Sequence, residues 1–133
     1  MPVVVGYVDS PEGRAALEAA AHEARVRGSR VVVVIAVPRG GPDAQTDAAA
    51  EVVRRRLDEA GVPHEVRVRT RSGDVAEEIV QVAQEVEASL VVIGLRRRSA
   101  VGRLLLGSKA QRIVLESPCP VLAVKAPAGT ATG

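Results

Sequence analysis

Apolar residues along this chain fall into two kinds of pattern, and the two alternate. Short continuous runs rich in β-branched residues occur at 2–8 (PVVVGYV), 30–37 (RVVVVIAV), 89–94 (SLVVIG) and 120–125 (PVLAVK), and their length reads as strands rather than helices. The runs at 30–37 and 89–94 show no polar alternation, which predicts strands covered on both faces, as in a parallel sheet. The segment HEVRVRT at 64–70 alternates strictly, so it predicts a strand with one wet face near the edge of the sheet. Between the strands the spacing changes to that of helices. Leu17, Ala20, Ala21 and Ala24 form one stripe, Ala49, Val52, Val53, Leu57 and Ala60 a second, and Val75, Ile79, Val82, Ala83 and Val86 a third. A fourth, short helix begins at Ser108.

The punctuation agrees with the periodicity. Ser10 followed by Pro11 is an N-cap with proline at the first helical position, and Gly28 closes that helix. Gly61 stops the second helix, and Asp74 with Glu77 has capping-box spacing at the start of the third. The order β-α-β-α-β-α-β-α-β predicts an α/β fold: a three-layer, doubly wound domain on a five-stranded parallel sheet. Residues 1–126 are expected to form one domain, with 127–133 as a disordered tail. In such a fold a ligand crevice lies at the carboxyl ends of the strands where their order reverses. If strands one and four are neighbours there, the loop at 94–108 hangs over the crevice.

Composition narrows the chemistry. The 133 residues suffice for a hydrophobic core, but Tyr7 is the sole aromatic residue, which argues against stacking of nucleic-acid bases. The net charge is only +2, with tight blocks at Arg54–Arg55–Arg56, expected on a solvated helix face, and Arg96–Arg97–Arg98, in the loop. Cys119 is alone, so no internal disulfide forms, and with only His22 and His64 besides it there is no four-ligand Cys/His zinc set. No leader-like segment and no run of membrane-spanning length is seen, so a cytoplasmic location is expected. No nucleophile–base pair, metal constellation or paired carboxylates mark an enzyme; no catalytic residue and no metal ligand is assigned.

The loop GLRRRSAVGRLLLGS, 94–108, is the candidate site. Gly107–Ser108 open a helix, whose N-terminus attracts anions, and Arg96, Arg97, Arg98, Arg103 and Lys109 add positive charge, so a nucleotide or simpler anion fits there. A plainer reading stands beside this one. Ser108 with Gln111 has capping-box spacing, Gly94 can simply end strand four, the arginines can form a soluble rim, and Leu104, Leu105 and Leu106 can tuck onto the sheet.

The opening strand followed by SPEGRAAL, the strand SLVVIG, the loop ending LLLGS and the closing SPCPVLAVK together resemble the universal stress protein (UspA-type) family over nearly the whole chain. That resemblance implies the five-stranded doubly wound fold, related to adenine nucleotide alpha hydrolases. It implies a stress-response or regulatory role without catalysis beyond at most slow ATP hydrolysis, and a homodimer paired through the 120–125 edge strand. One branch of the family binds ATP through glycine, two residues, glycine, nine residues, then glycine and serine or threonine. Gly94, Gly107 and Ser108 match that pattern and are the residues it would assign to the nucleotide, while Arg97 stands where the middle glycine belongs and Gly102 is out of register. The family also places an aspartate at the end of strand one; without gaps that position is Val8, with Asp9 one residue later, and a one-residue slip reverses side-chain direction. The expectation is therefore weak or no ATP binding, with ATP, ADP or AMP binding as the alternative. A phosphoacceptor receiver is discounted because strand three ends in Thr70 rather than aspartate, and a flavodoxin because VDSPEG is a poor flavin-phosphate loop.

Overall fold

In a computed structural model, the described residues are 1–37, 41, 43–69, 74–95 and 107–126. They form β1 (Val3–Gly6), α1 (Pro11–Arg27), β2 (Val31–Ala36), α2 (Ala44–Glu59), β3 (His64–Arg69), α3 (Val75–Glu85), β4 (Leu90–Leu95), α4 (Ser108–Glu116) and β5 (Val121–Lys125). The five strands make one parallel sheet in the order β3-β2-β1-β4-β5, so the chain winds outward in one direction from β1 and in the other from β4. This is the α/β doubly wound architecture that the alternation of periods predicts.

Strand parity divides the core into two halves. Val3, Val5 and Tyr7, with Val31, Val33, Ile35, Leu90 and Val92, face α1 and α2. Val4, with Val32, Val34, Val91 and Ile93, faces α3 and α4. The three central strands are buried on both faces, which is why their sequences are continuous rather than alternating. β3 lies at an edge, as its alternation predicts, and its neighbour across the sheet at the other edge is β5.

Three of the four helices begin on a side-chain cap. Ser10 accepts from the Gly13 N–H, Asp43 from the Thr46 N–H, and Asp74 from the Ala76 and Glu77 N–H groups. The fourth does not. Its N-cap is Gly107, in extended conformation, and no side chain caps it. Ser108 is thus the first helical residue, not the cap, and the capping-box reading of Ser108 and Gln111 is corrected: a side chain already inside the helix cannot fold back onto the amides one turn ahead. Gly94 also does not end its strand, because β4 continues through Leu95 and Gly94 pairs with Val124. Residues 96–106, with Arg97, Gly102, Arg103 and the three leucines, lie outside the described residues, as do Thr70 and the expected tail at 127–133.

Candidate functional site

The site forms where the sheet splits. β1 and β4 pair at only three positions, Val3–Leu90, Val4–Val91 and Val5–Val92, whereas β1 stays bonded to β2 through the Tyr7 N–H to Val34 carbonyl bond of 3.0 Å. Beyond Val5 and Val92 the first turn of α1 enters the gap. Two glycines allow this. A Cβ on Gly13 would lie 1.8 Å from the Val8 carbonyl oxygen, and one on Gly94 would lie 2.5 Å from the Glu12 carbonyl oxygen. Neither contact leaves room for a side chain, so both residues must be glycine for helix and strand ends to meet. Gly94 therefore has a packing role whatever else it does.

A cleft of about 300 Å³ opens at this split. Gly6, Ile93, Ile79 and Ile113 make an apolar floor, and Val8, Ser10, Glu12 and Gly13 line it from the β1–α1 side. Gly94 and Leu95 contribute the end of β4, and Gly107, Ser108, Lys109 and Ala110 bring the start of α4 to the opposite side. The three residues assigned by resemblance, Gly94, Gly107 and Ser108, are thus brought together on one cleft although 13 to 14 residues separate them in the chain.

Electrostatically the two sides differ. Ser10 is committed to its own helix: its hydroxyl accepts from Gly13 at 3.0 Å and donates to the Val8 carbonyl at 3.4 Å. On the other side, the uncapped first turn of α4 leaves backbone N–H groups without an intrahelical partner, at the positive end of the helix dipole, and Lys109 adds a full charge. α4 is held in place by Arg112, which pairs with Glu116 at 3.0 Å and reaches across to the Asp74 carboxylate that caps α3. The Glu116 hydrogen bond, then the charges of Glu116 and Asp74, raise the guanidinium pKa above its ordinary value.

Asp9 takes no part in the cleft. Because Tyr7 still belongs to the sheet ladder, alternation sends residue 7 toward α1 and α2, residue 8 into the cleft and residue 9 back again. Asp9 accepts from the Tyr7 hydroxyl at 3.4 Å and pairs with Arg14 at 3.1 Å. Burial, then the Asp9 charge, raises the Tyr7 phenol above its ordinary value of 10.0. Val8, 56% exposed, occupies the place at the strand end where Asp9 was wanted.

Some of the lining was missed in the sequence. Gly13 sits in the first turn of an otherwise alanine-rich helix, where glycine is unfavourable by about 1 kcal/mol, and that cost was the signal of a close approach. Val75 and Ile79 read only as buried stripe and Ile113 was not singled out, because no local pattern distinguishes a cleft floor from a core. Among the described residues no three His, Cys, Asp or Glu side chains gather as a metal site, and no helix is long and apolar enough to cross a membrane.

Fold and site together define a doubly wound α/β protein with a cleft at its topological switch point, lined on one side by the start of α4. A sequence model of the universal stress protein family matches residues 1–125, and the chain belongs to that family. It is 44% identical over 129 residues to a universal stress protein of Mycolicibacterium smegmatis, covering 92% of this chain and 96% of that one. Among solved structures, it is similar to a universal stress protein from Archaeoglobus fulgidus, with a TM-score of 0.80 at 34% identity, covering 94% and 98% of the two chains. It is also similar to the universal stress protein from Archaeoglobus fulgidus in complex with dAMP, with a TM-score of 0.76 at 30% identity and the same coverage.

Proposed function

We propose that this protein is a non-catalytic, homodimeric regulator that binds an adenine nucleotide in the cleft between β1 and β4. One observation carries the reading: among the described residues α4 alone of the four helices starts without a side-chain cap, and its first turn, which includes Lys109, lines the cleft. Backbone donors left open at the positive end of a helix are suited to a phosphate. Gly94, Gly107 and Ser108 are the residues on which the phosphate rests in this reading, and the apolar floor takes the nucleoside. The dAMP complex of a relative 30% identical supports the choice of adenine. Arg97 in place of a loop glycine and Val8 in place of a carboxylate support weak rather than tight retention of ATP. Among the described residues the cleft's polar side chains are Ser10, Glu12, Ser108 and Lys109, with no nucleophile paired with a base, which supports binding rather than turnover.

Calorimetry on protein stripped of bound ligand tests this, with AMP and with ATP·Mg²⁺ as titrants. Saturable binding is expected, and Gly107→Asp should weaken it about tenfold or more. Aspartate is a better N-cap than glycine by a few tenths of a kcal/mol, so the variant should melt at the same or a slightly higher temperature while its carboxylate occupies the anion site. No binding by the parent protein, or binding untouched by Gly107→Asp, removes the reading.

The dimer is assigned to the β5 edge. Leu122 and Ala123 are exposed on that strand, and α4 beside it exposes Val114 and Leu115. An open, apolar strand edge is a surface for pairing with a second copy.

A further inference from the structure

Two helices share the cleft floor, α3 through Val75 and Ile79 and α4 through Ala110 and Ile113, and an ion pair outside the cleft lining ties them together. Asp74 uses its two carboxylate oxygens for different helices. Oδ1 accepts from the Ala76 and Glu77 N–H groups at 3.1 and 3.4 Å and so caps α3, while Oδ2 accepts from Nη1 of Arg112 and so fastens α4. The rest of the guanidinium also faces protein carboxylates: Nε donates to Glu116 at 3.0 Å, and Nη2 stands 3.9 Å from Glu77.

Among the described residues α4 has few other anchors. Ile113 is its buried residue, Ala110 packs beside it, and Val114, Leu115 and Glu116 are exposed. One buried side chain fixes the distance of a helix from the sheet but not its direction. A charge-assisted bond to the neighbouring helix fixes the direction as well. That direction matters at the start of α4. Its first internal bond runs from the Gln111 N–H to the Gly107 carbonyl, so the N–H groups of Ser108, Lys109 and Ala110 lie ahead of the ladder. Arg112 is four residues past Ser108, about 6 Å along the axis. We propose that Asp74 and Arg112 are the positioning residues of the anion site: their pair sets the direction of α4, and with it the aim of the three open N–H groups into the cleft. Neither residue touches the ligand. The proposal rests on the adenine-nucleotide reading above.

The test is calorimetry with AMP on the full chain, comparing the parent with Asp74→Asn, Arg112→Gln, the double variant and Glu116→Gln. Asparagine caps a helix as well as aspartate, so Asp74→Asn leaves α3 capped and removes the tie. Charge and position then act in opposite directions. Deleting a negative charge near an anion site tightens binding, whereas releasing α4 weakens it. The two side chains are 33% and 39% exposed, so the loss is limited to that of a partly screened pair, about fivefold, at unchanged stoichiometry. Arg112→Gln should weaken binding at least as much. The double variant should match Arg112→Gln within about twofold, because both changes act through one bond. Glu116→Gln, which leaves the tie in place, should cost less than about twofold. Asp74→Asn that binds AMP as tightly as the parent, or more tightly, overturns the proposal. Losses that multiply in the double variant overturn it too, as does a Glu116→Gln loss equal to that of Asp74→Asn. Should Asp74→Asn not fold, Asp74→Ser is also a good cap, is too short to reach Arg112, and carries the same expectation. No AMP binding by the parent removes the nucleotide reading and this proposal with it, whereas binding with the wrong order of variants removes this proposal alone.

Discussion

The two edges of the sheet are built differently. β3 keeps its open edge among charges: Glu65 pairs with Arg30 and Arg67, and Glu85 of α3 pairs with Arg67 and Arg69. Its other face is apolar, with Val66 against the α1–α2 half of the core and Val68 37% exposed. β5 has a single charged residue, Lys125 at its end, and presents Leu122 and Ala123 to solvent. A strand edge without charge invites another strand, and charge on the edge discourages it. One edge of the sheet thus lies among charges and the other is open and apolar, which is where the proposed dimer places its interface.

That contrast can be broken most severely at Leu122. Leu122→Lys places a charge in the proposed interface at a side chain that is 37% exposed in the monomer, and sedimentation should show the dimer replaced by monomer, with about a hundredfold weaker association. Val121 and Val124 are poorer choices, because they pack against the two halves of the core and a lysine there would also destabilise the monomer. A parent protein that is already monomeric at high micromolar concentration ends the comparison. The converse change makes β3 resemble β5. Glu65→Val with Arg67→Val removes the charges from that edge, and concentration-dependent association beyond the dimer should appear in light scattering; a variant that stays dimeric shows that the charges there do not guard the edge.

The smallest effect is electrostatic. The Arg67 hydrogen bond, and then Arg67 and Arg30 as charges, hold the Glu65 carboxyl below its ordinary 4.5. A carboxyl depressed in the folded state adds stability above its unfolded pKa and loses it as pH falls through the folded one. Unfolding by urea should therefore show a loss below about pH 4.5 that Glu65→Gln reduces. The pair is 42% exposed on the Glu65 side, so solvent screening limits it to about 0.5 kcal/mol. A pH dependence unchanged in Glu65→Gln assigns the loss to other carboxylates.

Most of the fold was legible because each element carried its own periodicity and punctuation. Val31–Ala36 has no polar position because helices cover both its faces, and His64–Arg69 alternates because its Glu65, Arg67 and Arg69 side meets water and counter-charges. The site was legible in part. Gly94, Gly107 and Ser108 were readable as a set, and the structure brings all three to one cleft. Whether Ser108 caps its helix was not readable, since serine with glutamine three residues on is the same string whether the helix starts before or after the serine. Gly94 was misread for a similar reason: glycine ends strands and also lies inside them where another backbone comes close, and only the position of Glu12 separates the two cases.

By itself the sequence determined the alternating α/β order, the buried central strands, the wet strand at one edge and the family. Those follow from local periodicity, which a helix or strand imposes on its own residues. The tertiary structure decided the pairing of β1 with β4, the split that admits α1 between them, and the direction of Val8 and Asp9. These depend on contacts between segments far apart in the chain, and a one-residue difference in where a strand's ladder ends turns the same side chain toward the cleft or away from it.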